Sequence, residues 1–206
     1  TQRFKRTSLA ANNKLAIELQ KLSLEADIVL DLHTAPKATR FLYAPEYAFE
    51  AALNFDIPHL LLIPNKFDGA LDEASFCPWW ELQKELLKVG RTENVAVEAF
   101  TLELGNQEEL NLEEAEKDLN GILSYLSSYE LVDLKTVTET PKSYYYCQLE
   151  DYKTIHAPNG GLVDFQVKPG DVVGKNHCLA QQLTLGNVKS LENLLVAESK
   201  IKNPFE

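Results

Sequence analysis

The chain has 206 residues, of which 45% are hydrophobic and 25% charged, a globular balance that excludes long disorder. A chain of this size buries roughly 70% of its unfolded surface, enough for a core without disulfide or metal staples. Its 31 acids against 20 bases give a net charge of −11, which excludes the usual nucleic-acid binder, whose affinity comes from Lys and Arg on phosphates. No apolar run approaches the ~18 residues of a membrane span. The start, Thr1 to Arg6, has no apolar stretch behind its positive charges, so it does not read as a signal peptide. Cys77, Cys147 and Cys178 are odd in number and lack CxxC spacing. They read as reduced thiols, and the expected location is the cytoplasm. The absence of methionine suggests a piece of a longer protein.

In chain order, Ser8 is placed to cap a helix over about 9–24, with Leu15, Leu19 and Leu22 on one face. Asp27-Ile28-Val29-Leu30-Asp31-Leu32 reads as a short buried strand ending at His33. A loop containing Pro36 and Pro45 follows, then a short helix over 46–53. His59 to Ile63 is a second buried strand, bracketed by Pro58 and Pro64. Pro78 suits a first helical turn, and Leu82, Leu86 and Val89 continue at helical spacing to Gly90. Val95 to Leu104 reads as a strand that stops at Gly105. Asn111 and Glu114 resemble a capping box, opening a helix with Leu112, Ala115, Leu119, Ile122 and Leu126.

This alternation predicts an α/β domain over 1–135, with a mixed, largely parallel sheet flanked by helices. A linker falls near 130–142, where Thr136, Thr138, Thr140 and Pro141 gather. Beyond it, Tyr144–Cys147, 152–157, 162–167 and 171–180 read as β runs separated by Asn-Gly-Gly and Pro-Gly turns. They predict a small all-β sandwich module over 136–206.

Two residues stand out chemically. His33 directly follows a buried strand, at the sheet edge where open α/β folds bind ligands. A neutral imidazole there can ligate zinc, with Asp31 as its acceptor, or can be a structural histidine at a strand end. Glu103 ends a row of Val95, Val97, Ala99 and Thr101. A partly desolvated acid in that position suits general-base work on a metal-bound water, or is a solvated strand terminus. Glu98 is a rival base, but lies mid-strand. Arg40 can clamp a carboxylate or simply sit at the surface. Three positions after His33, His59, His156 and His177 stand Pro36, Leu62, Asn159 and Ala180, so no HxxE or HxxH occurs. There is no GxSxG, and no Gly-rich phosphate loop opens a helix.

Asp31-Leu32-His33-Thr34-Ala35-Pro36, Thr101-Leu102-Glu103-Leu104-Gly105, Ala157-Pro158-Asn159-Gly160-Gly161-Leu162 and Gly170-Asp171-Val172-Val173 together resemble the succinylglutamate desuccinylase/aspartoacylase family. The match runs along essentially the whole chain in the family's order. The resemblance implies a zinc-carboxypeptidase-like fold and a β module of lipoyl or biotinyl type without a carrier lysine. It implies zinc bound by His33 with Glu103 as base, and hydrolysis of a small-molecule N-acyl amino acid, with no nucleic-acid or membrane partner. The family's HxxE ligand pair and an Asn-Arg substrate pair precede the histidine. The first is absent here, and Gln2-Arg3 is a poor remnant of the second, with Arg3 and Arg40 as substrate-binding candidates. The expectation is a C-terminal portion of a longer enzyme that binds zinc weakly by itself. A peptide-cleaving metallocarboxypeptidase and a non-catalytic binding protein on the same fold are the alternatives.

Overall fold

A computed structural model describes residues 11–66, 70–133, 144–183 and 192–196. Helix α1 (Ala11–Ser23) leads into strand β1 (Ile28–Ala35) and strand β2 (Arg40–Pro45). Short turns of 3-10 helix at 46–48 and 53–55 flank α2 (Phe49–Ala52). Strand β3 (His59–Ile63), helix α3 (Leu71–Lys88), strand β4 (Glu98–Asn106) and helix α4 (Leu112–Ser128) complete the alternation. Four strands follow, β5 (Tyr145–Gln148), β6 (Leu162–Phe165), β7 (Cys178–Leu183) and β8 (Glu192–Val196).

The first sheet has the order β1-β4-β2-β3-β5. All its pairings are parallel except β2 with β4. The second is antiparallel, β6-β7-β8. The α/β layer architecture with a largely parallel sheet is therefore as expected, and so is a small β sheet at the C-terminal end.

Several boundaries differ. Strand β1 continues through His33 to Ala35 rather than ending before it. Strand β2 occupies what reads as a loop. Pro36 and Pro45 flag turns, but Pro36 lies before the strand and Pro45 is its last residue, so neither removes a needed ladder donor. Strand β5 pairs with β3 in the first sheet rather than joining the C-terminal module, which moves that boundary past residue 148. The runs 152–157 and 171–177 carry no strand.

Pro78 lies inside α3 rather than in its first turn. A proline has no N–H, so the carbonyl four residues back loses its helical donor. That carbonyl, on Ala74, accepts instead from Nε2 of Gln20 on α1 at 3.1 Å. The side chain of one helix thus completes the backbone of another. The start of α3 is closed by Glu73, whose Oε2 accepts from the Ala70 N–H at 3.1 Å. Asn111 caps α4, its Oδ1 accepting from the N–H groups of Glu113 and Glu114 at 3.0 and 3.2 Å.

The first sheet is covered on both faces. On one, Leu42, Leu60, Leu62, Phe100 and Leu102 pack against Phe55 and Tyr125. The rings of Phe55 and Tyr125 stack with centroids 4.1 Å apart. Helix α4 comes so close that a Cβ on Gly121 would lie 2.1 Å from the Phe55 carbonyl oxygen, so only glycine fits there. On the other face, Ile63, Ala99, Phe76 and Cys77 form a smaller core under α3. Burial pushes the Cys77 thiol up to about 11, which keeps it protonated and unreactive. Among the described residues no helix is long and apolar enough to cross a membrane.

Candidate active site

β1 and β4 run parallel in register, with Asp31 opposite Thr101 and His33 opposite Glu103. Residues directly opposite one another point to the same face, as do residues two apart on one strand. All four side chains therefore project on the α3 side of the sheet. His33 Nε2 lies 3.0 Å from Asp31 Oδ1. Strand alternation alone makes this contact, and no turn is required. With Nε2–H donating to Asp31, the neutral imidazole keeps its lone pair on Nδ1.

Immediately after the His33–Glu103 pair the register slips, so that Ala35 pairs with Asn106. The extra residue is on β4, where Gly105 has φ +92°. This is a β-bulge, a device that re-aims side chains at sheet edges. Glu103 itself is half-buried, and its Oε2 is fully buried with no hydrogen-bond partner. A carboxylate oxygen in that condition is costly and marks a place for a proton donor.

Three neighbours extend the site. Thr101 Oγ1 donates to Oδ2 of Asp72, the second residue of α3, at 3.1 Å. Asp72 is buried, and this burial pushes its carboxyl above the usual range, with Asp31 adding in the same direction. Tyr43 on β2 is opposite Thr101. Burial pushes its phenol up, with Tyr152, Glu103 and Asp72 adding to the effect. Sequence reasoning missed this group. With Pro78 placed in the first helical turn, Asp72 falls ahead of the expected helix, and Tyr43 lay in an apparent loop.

Other candidates fall elsewhere. Arg40 is opposite Leu104 and so points to the α4 face, away from His33 and Glu103. Its Nε donates to Asp118 Oδ1, and Glu114 Oε2 lies 3.9 Å away. The reading of Arg40 as a carboxylate clamp beside His33 is thus corrected: the residue ties β2 to α4. Glu98, the rival base, faces α4 as well, where it accepts from the hydroxyls of Tyr125 at 2.6 Å and of Tyr129. His59 stacks on Tyr145 with centroids 5.8 Å apart, and its Nδ1 lies 3.2 Å from the Arg40 carbonyl oxygen. Arg3 lies outside the described residues.

Residues 3–129 match the family described as succinylglutamate desuccinylase/aspartoacylase catalytic domain, and the chain belongs to that family. A solved family protein from Shewanella frigidimarina NCIMB 400 is 39% identical, with a TM-score of 0.85 over 97% of this chain and 54% of its own. One from Shewanella amazonensis SB2B is 41% identical, with a TM-score of 0.85 over 97% of this chain and 55% of its own. A third, from Rhodobacter sphaeroides, is 17% identical with a TM-score of 0.67 over 93% of this chain and 56% of its own, a likeness of fold. The chain thus spans little more than half the length of these relatives. A search of curated proteins finds no match.

Zinc is the metal this family typically uses. The residues present fit a share of such a centre. His33 is an imidazole whose other nitrogen is held by a carboxylate, the usual support for a ligating histidine. The unpartnered Glu103 oxygen lies on the same face. Among the described residues no group of three or more His, Cys, Asp or Glu can hold a metal ion.

Proposed function

We propose that this chain is the His33- and Glu103-bearing part of a zinc-dependent hydrolase that cleaves the amide bond of a small N-acyl amino acid. The observation that carries this reading is the His33–Glu103 pair, opposite one another on adjacent strands, with Glu103 Oε2 buried and unpartnered. His33 would hold the metal through Nδ1, the nitrogen left free by the Asp31 contact. When bound, zinc supplies a water of lowered pKa and a polarised scissile carbonyl. Glu103 takes a proton from the attacking water at Oε2 and delivers it to the leaving nitrogen. The C–N bond breaks, leaving a carboxylate and an amine. Asp31 keeps the His33 tautomer fixed throughout.

The test uses the full-length protein and Glu103→Gln. Gln keeps the volume and still hydrogen-bonds water, but cannot take the proton. Zinc should remain bound, and turnover of N-acyl amino acids should fall by roughly 10²–10⁴. Normal turnover would remove Glu103 from the chemistry. Loss of zinc together with activity would make it a ligand. Cleavage of peptides in preference to N-acyl amino acids would favour the carboxypeptidase alternative.

A further inference from the structure

Two residues before the His33–Glu103 pair, Asp31 and Thr101 stand opposite one another on β1 and β4. Their backbones are about 4.8 Å apart, the spacing of adjacent strands. Thr101 has a single hydroxyl proton to give, and an ionised carboxylate can only accept. Two carboxylates lie on its side of the sheet: Asp31 across the ladder, and Asp72 at the start of α3. The structure directs the proton to Asp72, whose Oδ2 accepts from Thr101 Oγ1 at 3.1 Å in a bond shielded from solvent. The other oxygen, Asp72 Oδ1, accepts from the Glu73 N–H at 2.8 Å. Both oxygens are thus engaged, and the side chain is fixed between the first turn of α3 and β4. Asp72 is only 8% exposed. A third acid buried on a face that already holds Asp31 and Glu103 is costly, and packing alone does not call for it.

We propose that Asp72 is a positioning residue for the proposed metal centre. By taking the Thr101 proton it leaves the Asp31 carboxylate to His33, and so keeps the imidazole proton on Nε2 and the lone pair on Nδ1. Among the described residues the Asp31 carboxylate has His33 Nε2 as its partner, at 3.0 Å. Without Asp72, the Thr101 hydroxyl turns about its Cβ–Oγ1 bond to the acceptor across the ladder. A carboxylate that also accepts from Thr101 is a weaker acceptor for Nε2–H, and the Nδ1–H tautomer gains. That tautomer has no lone pair on Nδ1 to offer a metal. The inference rests on the hydrolase reading above for its link to catalysis, but the tautomer is a property of the metal-free protein.

The experiment uses the full-length protein at a pH well above the carboxylate and imidazole ranges. Nitrogen NMR of the His33 ring in the metal-free protein reads the tautomer, and chelator competition reads zinc affinity. Asp72→Ala should raise the Nδ1–H share and weaken zinc binding about tenfold, as loss of an outer partner does. Asp72→Leu, which fills the space without an acceptor, repeats the test should Asp72→Ala fold poorly. Asp72→Asn keeps an oxygen for Thr101 and should retain both properties. Thr101→Val removes the proton itself, so it should change neither, and combined with Asp72→Ala it should restore what Asp72→Ala loses. An acid with a structural role alone would not be rescued by a second substitution in the same buried contact. An unchanged tautomer in Asp72→Ala and Asp72→Leu, or a double variant no better than Asp72→Ala, would overturn the proposal. The stated tautomer shifts in a protein that hydrolyses no N-acyl amino acid would uphold the positioning role and overturn the hydrolase reading instead.

Discussion

His33 and Glu103 are the last side chains in register on the parallel pair β1 and β4 before the bulge that brings Ala35 opposite Asn106. Their separation is set by the backbone ladder of two paired strands rather than by loop conformation. Sites on such elements hold their geometry better than sites on loops. The acid that orients His33 comes from the same strand, two residues earlier.

Asp31→Asn should therefore leave the fold intact and weaken the metal centre. The amide oxygen can still accept from Nε2–H, but its charge is gone and the imidazole becomes a poorer donor. In the full-length protein we expect zinc affinity or activity to fall about 10–100-fold. Chelator competition beside kcat measures both. No change in either would make the Asp31–His33 contact incidental.

Arg40→Ala should act on stability, not on substrate. Both Arg40 and Asp118 side chains are nearly nine-tenths buried, so the substitution strands a buried acid at a cost of about 3–5 kcal/mol. Denaturant midpoints should drop while KM stays unchanged. A raised KM with an unaltered midpoint would return Arg40 to the substrate.

The bond from Gln20 to the Ala74 carbonyl exists because Pro78 cannot donate. Gln20→Ala should cost about 1 kcal/mol. In a Pro78→Ala background the helix regains its own donor to that carbonyl, so the same substitution should cost much less. A double-mutant cycle reads the coupling. Additive effects would mean that Gln20 contributes by packing alone.

Asp72 predicts a pH dependence with a definite sign. Its carboxyl is pushed up by burial, so the folded protein binds this proton more tightly than the unfolded chain. The stability it contributes is present below the unfolded pKa of ~3.9 and is lost as pH rises through the raised folded value. Asp72→Asn, uncharged at every pH, should gain on the unsubstituted protein in Tm as pH rises through that window. A Tm difference that is flat with pH would show that Asp72 has an ordinary carboxyl in the fold.

Where the sequence was legible, the reason is periodicity. Strands β1, β3 and β4 are apolar runs, and α3 and α4 carry apolar residues at helical spacing. His33 and Glu103 stand out because a polar group closes each run. The illegible parts depend on partners distant in the chain. Strand β2 is defined by pairing with β3 and β4, while its flanking prolines speak for a loop. Pro78 sits inside a helix because Gln20 takes the carbonyl it strands. Arg40 lies seven residues after His33 on a different strand, and only the register of β2 against β4 shows that it faces the other way. Asp72 and Thr101 meet across a helix–sheet interface, which no local spacing encodes.

Strand β5 carries a consequence for dissecting the molecule. Its first amide, on Tyr145, donates to the Pro58 carbonyl at 2.7 Å, and its register continues from His59–Tyr145 to Leu62–Gln148. The connection from the larger sheet to the smaller sheet is therefore not a tether between two separable bodies. A deletion made at the change in sequence texture near residue 136 would strip a strand from the larger sheet and leave the N–H and C=O groups of β3 open to another chain. In amide hydrogen exchange, Tyr145 to Gln148 would open together with His59 to Ile63 rather than with β6 and β7, placing the cooperative boundary after the strand and not before it.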